Sequence, residues 1–261
     1  MLNYMKSELY RAGHSAEIRG TAIGLLGLIL FMNLILSIMS GLPHFHYGIT
    51  SFSYSMLVSM PMLYCYVAGD VAVMLYESDK RNGTLGNSIA YGISRTRIFF
   101  GKCIVTFLTS LFLLLLALPA YILSAVLLLE EAGPTVVWDM LAEVPAVSLI
   151  ATAALILANI LLELFDNSFF SVLAWLAVLV IVPKILLLAG MGMSSGSEFL
   201  LDVAMWMPAN FLSAGMQVNM SQCITVWDTA EGMAKCLLSG AAGILAFGAA
   251  GVLLLRKRDL V

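Results

Sequence analysis

Apolar residues run along this chain in long blocks, without the strict alternation of half-buried strands or the narrow stripe of a soluble amphipathic helix. Six blocks are long enough to cross a hydrocarbon core of ~30 Å at about 20 helical residues each. They cover residues 21–39, 52–75, 103–129, 144–162, 169–189 and 236–255. The pattern predicts an all-α membrane protein with six transmembrane helices in a single domain, residues 1–261, with Pro119 tilting or kinking the third. Ahead of the first block, Leu2, Met5, Leu9, Ala12 and Ala16 recur at steps of three and four, while Lys6, Arg11 and Arg19 lie elsewhere. Residues 1–19 therefore read as an amphipathic helix lying in the membrane interface, followed by an uncleaved first span.

Composition agrees. Hydrophobic residues make up 61% of the chain and charged residues only 11%, against roughly 25% charged in a soluble domain. The net charge of −3 gives no reason to expect nucleic acid. Its distribution says more. Eleven of the 13 Lys and Arg residues precede span one, lie between spans two and three, or follow span six: Lys6, Arg11, Arg19, Lys80, Arg81, Arg95, Arg97, Lys102, Arg256, Lys257 and Arg258. An even number of spans puts those segments on one side, and the positive-inside rule makes it the cytoplasm, with both termini there and the chain multi-pass in the cell membrane. The opposite loops carry acids instead: Glu130, Glu131, Asp139, Glu143, Glu198, Asp202, Asp228 and Glu231 predict an acidic outer surface, which would suit release of a cationic cargo. Trp138, Trp206 and Trp227 suit an aromatic belt there.

The segment at residues 77–102 is the most informative polar stretch. Asn82 and Gly83 form a turn signal, Thr84 can cap a short helix carrying Leu85 and Ile89, Gly92 suits a left-handed helix end, and Ser94 can cap the next helix. Arg95, Arg97 and Lys102 are expected at headgroup level as span three begins. Within the spans, Asp70 and Glu77 are seven residues apart and share one face of span two. Asp70 either lines a translocation path or reaches water or a partner, Arg95 or Arg97. Lys184, after Pro183, either lines a polar path, pairs with an outer carboxylate or extends its amine to the interface. Gly20 and Gly24 in span one, and Ser239, Gly240, Gly243, Ala246, Ala250 and Gly251 in span six, permit close helix approach, as a dimer seam or an internal contact. Cys223 and Cys236 could meet on the outer side, whereas Cys65 and Cys103 read as packed thiols. His44, His46 and the scattered methionines read as ordinary loop and core residues rather than metal ligands.

An acidic residue closing span two, Gly-Thr-Leu, a short apolar helix, Gly-Ile-Ser-Arg and a Lys opening span three fall here at Glu77, Gly83, Thr84, Leu85, Gly92, Ile93, Ser94, Arg95 and Lys102. This order resembles the ABC-2-type transporter permeases. The six-span layout, the N-terminal interfacial helix and the long outer segment at residues 190–234 are similar to that family too. The resemblance implies that residues 84–91 form a cytoplasmic coupling helix that docks on a separate P-loop ATPase subunit, with Glu77, Gly83, Thr84, Leu85, Ile89, Tyr91 and Arg95 as coupling residues. It further implies a second permease chain, identical or homologous, and short re-entrant outer helices between spans five and six. The implied function is export of a substrate such as an antimicrobial peptide or drug, with ATP and Mg on the partner ATPase and no cofactor in this chain. The Asp-Lys-Arg stretch after Glu77 departs from the family spacing.

The chain is not expected to be an enzyme. Gly101-Lys102 is its only Gly-Lys pair and has neither the second glycine nor the following Ser or Thr of a phosphate loop. None of His14, His44 and His46 falls within a span, so an intramembrane Ser-His protease would lack its base. A secondary transporter, which usually shows an internal repeat and charges at mid-membrane, or a non-transporting anchor subunit, is the alternative.

Overall fold

A computed structural model describes residues 2–82, 84, 90–192, 198–219 and 222–258. Helix α1 (Leu2–His14) leads into α2 (Ala16–Ser40) across Ser15, whose hydroxyl accepts from the Ile18 N–H and starts the second helix. There follow α3 (Thr50–Val58), α4 (Leu63–Asn82), α5 (Arg95–Leu128) and α6 (Val137–Leu164). The next span is composite: α7 (Ser168–Leu176), a π-helical turn (Ala177–Ile181) and α8 (Val182–Gly192). Two short helices, α9 (Glu198–Met205) and α10 (Pro208–Ala214), precede a small antiparallel hairpin, β1 (Gln217–Asn219) and β2 (Gln222–Ile224), and α11 (Ala230–Arg258) closes the described chain.

Five of these segments are long and apolar enough to cross a membrane: Ala16–Ser40, Arg95–Leu128, Val137–Leu164, Ser168–Gly192 and Ala230–Leu255. The sixth expected span is corrected. In place of one helix over 52–75, Thr50–Val58 and Leu63–Lys80 meet at 62°. Pro61 sits in the break; it has no N–H to donate, and its ring disfavours helical backbone in the residue before it. Two turn bonds cross the gap, Met60 N–H to the Leu57 carbonyl and Leu63 N–H to the Met60 carbonyl, both at 2.9 Å. Pro119 has no such effect, since α5 runs through it. Before Pro183, Val182 N–H reaches back to the Ala177 carbonyl, the wider turn that admits the proline ring.

The broken span is held at the end away from the basic segments. Thr50 N–H donates to the Glu130 carbonyl at 3.0 Å, and Thr135 N–H to Ser51 Oγ at 2.8 Å, strapping α3 to the α5–α6 loop. Buried Asn33 of α2 joins this arrangement, accepting from Ser53 Oγ at 2.7 Å and donating to Ser124 Oγ of α5 at 2.7 Å. Tyr121 OH donates to the Ser53 carbonyl at 2.6 Å. Every buried polar group in a low-dielectric interior needs such a partner, so α2, α3 and α5 are fixed to one another by hydrogen bonds as well as by packing.

Helix α6 is the axis of the bundle, with most of its apolar window buried. Its alanines, Ala146, Ala151, Ala153, Ala154 and Ala158, allow α4 and α11 to approach. A Cβ at Gly240 would lie 2.5 Å from Leu149 Cβ, so the small residues of span six serve an internal contact. Around Gly20 and Gly24 of span one there is open space.

Beyond α8, the short helices α9 and α10 fold back against the composite span. Buried Asn210 donates to the carbonyls of Pro183 at 2.8 Å and Ala204 at 2.9 Å, tying both short helices to the composite span. Two expectations about this end are corrected. Glu143 is not part of an acidic rim: it is fully buried and accepts from Tyr64 OH at 3.3 Å. Trp227 is 4% exposed, unlike Trp138 at 77% and Trp206 at 53%, so only the latter two present rings at the surface. Cys223 and Cys236 are free thiols, both buried. Burial, with the Asp228 and Glu143 carboxylates adding to it, pushes the Cys223 thiol up to about 11.

Replacing Asn33 with Ala strands the hydroxyls of Ser53 and Ser124 in the interior, and the expected cost is about 1–3 kcal/mol. Thermal unfolding in detergent should show a lower midpoint for Asn33→Ala than for Leu34→Ala, whose side chain is exposed.

Candidate functional site

The sequence scatters acids and bases over α1, α4 and α5, and the fold gathers them at one end. Helix α1 lies against α5 because Gly101 leaves room for it: a Cβ there would come 2.7 Å from Tyr4 Cε1. Leu9 and Ala12 pack with Val71, Leu75 and Val105, so the apolar face of α1 rests on α4 and α5. Glu8, one turn from Ala12 on the same face, is carried inward.

There Glu8 meets Lys102, which donates to its carboxylate at 2.6 Å, and Arg11, which donates at 2.6 Å. Both cations also pair with Asp79 near the end of α4. The result is a closed ring of alternating charge: Glu8, Lys102, Asp79 and Arg11. Lys102 is fully buried and also lies over the Tyr76 ring, 5.4 Å from its centroid. Lys102 is thus enclosed by protein rather than presented at the surface. The partners explain it: with two carboxylates within reach, the ammonium is neutralised without water. Burial pushes the Tyr4 hydroxyl well above its ordinary value, with the Glu8 charge adding to the effect, so Tyr4 remains a neutral cover over the ring.

The polar connector joins this ring through Thr84. Its hydroxyl donates to Asp79 Oδ1 at 2.6 Å and accepts from Arg11 at 3.1 Å. Gly92 is left-handed, at φ +80°, as the sequence requires. Ser94 occupies the position before α5, and its carbonyl, rather than its hydroxyl, accepts the first helical bonds from Arg97 and Ile98. Two further contacts bind the same end of α6. Arg95 reaches Glu163 at 3.4 Å, and Lys80 donates to the carbonyls of Phe165 at 2.8 Å and Asp166 at 3.2 Å, a cation at a helix C-terminus. Leu255 of α11 packs with Phe99 and Ile160 near this end too. All three basic segments of the sequence therefore converge on one end of the bundle.

Of the coupling residues expected from sequence, Thr84 and Arg95 are drawn into this network, while Glu77 and Tyr91 are exposed and Gly83, Leu85 and Ile89 lie outside the described residues. Asp79, two residues beyond Glu77, is the acid that the fold uses. Asp70 and Glu77 do share an exposed face of α4, but among the described residues Asp70 forms no ion pair with Arg95 or Arg97. It opens into a separate groove with Trp175. Lys184 is exposed, donates to Ser213 Oγ at 3.3 Å and does not line that groove. Sequence reading missed Glu8, Asp79 and Glu163. The available signal was positional: Glu8 interrupts the apolar stripe of α1 between Met5 and Ala12, with Arg11 three residues on.

Fold and site together define a multi-pass α-helical membrane protein whose spans are clamped at one end by buried ions. Residues 26–196, about two thirds of the chain, match the family described as multidrug efflux system permease Rv1217c, C-terminal domain. The chain belongs to that permease family. No curated protein and no solved structure gives a significant match.

Removing Lys102 leaves two carboxylates facing one arginine, and Lys102→Met should cost about 3–5 kcal/mol. Adding Glu8→Gln restores the charge balance and should recover about 1 kcal/mol or more. Unfolding in detergent of both single variants and the double variant measures the coupling; strictly additive effects would show that the four charges do not act as a ring.

Proposed function

We propose that this chain is the membrane subunit of an ATP-driven exporter of ABC-2 type, working as a pair of permease chains with two copies of a separate P-loop ATPase. The basic end faces the cytoplasm of the cell membrane, and the ATPase, which carries the ATP and Mg, docks on residues 84–91. One observation carries the reading: Thr84, at the start of that segment, is hydrogen-bonded into the buried ring that joins α1, α4 and α5. A displacement delivered to the connector is therefore delivered to three membrane elements at once. The membership in an efflux permease family and the basic charge at this end point the same way. ATPase closure pushes the connector, and α4 and α5 tilt together to open the route outward. The cargo is an amphiphilic compound such as a drug or antimicrobial peptide.

In this mechanism the connector has two separable duties. Leu85 and Ile89 supply the apolar docking surface, and Leu85→Asp or Ile89→Asp should abolish co-purification of the partner ATPase while membrane insertion persists. Unchanged co-purification rejects the coupling assignment. Thr84→Val should leave the ATPase bound but lower substrate-stimulated hydrolysis by about tenfold, because force then enters through the α4 backbone alone, without the hydroxyl that ties the connector to Asp79 and Arg11.

A further inference from the structure

Nine residues before the ring, the same helix α4 carries a carboxylate in the opposite circumstance. Asp70 is exposed, and among the described residues it has no hydrogen bond or ion pair. At 1.5 Å per residue it stands about 13 Å along the helix from Asp79. It lies close to the middle of α4, with the Pro61 break beyond the helix's other end. Four cations of the basic end are committed elsewhere: Lys102 and Arg11 to the ring, Arg95 to Glu163, and Lys80 to the end of α6.

Asp70 borders a groove of about 360 Å³ between α4, α6 and α7, a volume in the range of small-molecule sites. The groove is built rather than incidental. Trp175 is 7% exposed, and its indole N–H donates to the Ala154 carbonyl at 2.8 Å, which fixes the ring plane. Gly69 lets that ring close on α4: a Cβ there would fall 2.6 Å from Trp175 Cζ2. Tyr66, one turn earlier, meets the indole edge-on with centroids 6.2 Å apart. Leu162 and Val172 add hydrocarbon to the wall, and the hydroxyl of Ser171 there is spent on the carbonyls of Leu161 and Asn167. One carboxylate, two aromatic rings and hydrocarbon offer charge, cation–π attraction and apolar burial to the same occupant.

We infer that this groove binds a lipophilic monocation, an aromatic or alkyl body carrying one positive charge. The inference rests on the reading of the chain as an exporter and names the chemistry of what it takes up; Asp70 supplies the charge, and Trp175 and Tyr66 supply the rings. A neutral compound of the same bulk gains the burial without the charge interaction.

The test uses the purified full chain in detergent, without the ATPase, with tetraphenylphosphonium as probe and triphenylphosphine oxide as its neutral counterpart, both followed by equilibrium dialysis. The wild-type chain should hold the cation about tenfold more tightly than the neutral compound. Asp70→Asn should lose that preference by weakening the cation alone, Asp70→Glu should keep most of it, and Val172→Trp should weaken both probes by filling the groove. Equal cation binding by the wild-type and Asp70→Asn chains, or by the wild-type and Val172→Trp chains, overturns the inference. If Asp70→Asn does not fold, the charge preference of the wild type and the Val172→Trp result decide. Charge-blind binding with an intact ATPase complex rejects the groove alone, and cation binding with no ATPase dependence on residues 84–91 rejects the coupling alone.

Discussion

The arrangement of the basic end follows from a single constraint: an ion removed from water must be neutralised where it stands. The penalty for burying each charge is several kcal/mol, and the attraction of one partner seldom offsets it. Here each of Glu8 and Asp79 faces two cations, and each of Arg11 and Lys102 faces two carboxylates. The ring is neutral overall, and only Arg11 keeps an appreciable part of its side chain in solvent, at 26%. Moving α1, α4 or α5 alone would strand at least two charges in a poorly solvated site. The three elements are consequently held to one another by the cost of separating them, and they respond as a unit to force applied at Thr84.

A unit that moves needs something to move against and somewhere to bend. Helix α6 provides the first. Its alanine-rich surface packs closely with α11 and α4, and interiors at native density resist gradual deformation. The second is provided by interruptions in the other spans, namely the Pro61 break between α3 and α4 and the π-helical turn ahead of Pro183. Both sit where backbone hydrogen bonds are already rearranged, so a change of angle there sacrifices less than it would in a continuous helix. The hydroxyl network from Asn33 to Tyr121 and the amide of Asn210 restore partners on either side of these interruptions. This is how an irregular span is tolerated in hydrocarbon.

Much of this organisation was legible in the sequence because lipid imposes a long, one-dimensional signal. Five of the six apolar blocks fall in segments long and apolar enough to cross a membrane, an N-terminal helix precedes the first of them although it ends at His14, and Gly92 has the left-handed backbone its position demanded. The failures share a cause: hydropathy averages over a window and does not register a single backbone defect or a single pairing. Pro61 divides an apolar block that looks continuous. Lys102 and Glu143 look like terminal charges at a water boundary, yet each is buried with a partner distant in sequence, Glu8 at 94 residues and Tyr64 at 79. Glu8 is hidden for the same reason, since its meaning depends on a lysine in another helix. The candidate groove was visible only as the isolated letter Asp70; that Gly69 and Trp175 build its wall is a fact of packing between α4 and α7.

Asp70 and Asp79 together show what separates a structural carboxylate from a receptive one. They occupy the same helix, nine residues apart, and chemistry alone does not distinguish them. Asp79 is 2% exposed and surrounded by donors, two of them cations, so its charge is saturated and its role is to hold elements together. Asp70 borders a mainly apolar groove with two aromatic rings, and among the described residues it forms no hydrogen bond or ion pair. In an apolar medium a carboxylate in that setting must bind a proton or a cation from outside, because leaving it charged and alone is the most costly state open to it. Saturated charge thus gives rigidity at the end where force would enter, and unsaturated charge gives affinity in the middle of the same helix. A push on the connector that shifts α4 alters the surroundings of Asp70 without breaking the ring around Asp79. In the proposed mechanism helix α4 would be both the lever and one wall of the groove, an economical way for a membrane subunit to change its hold on a charged cargo as it moves.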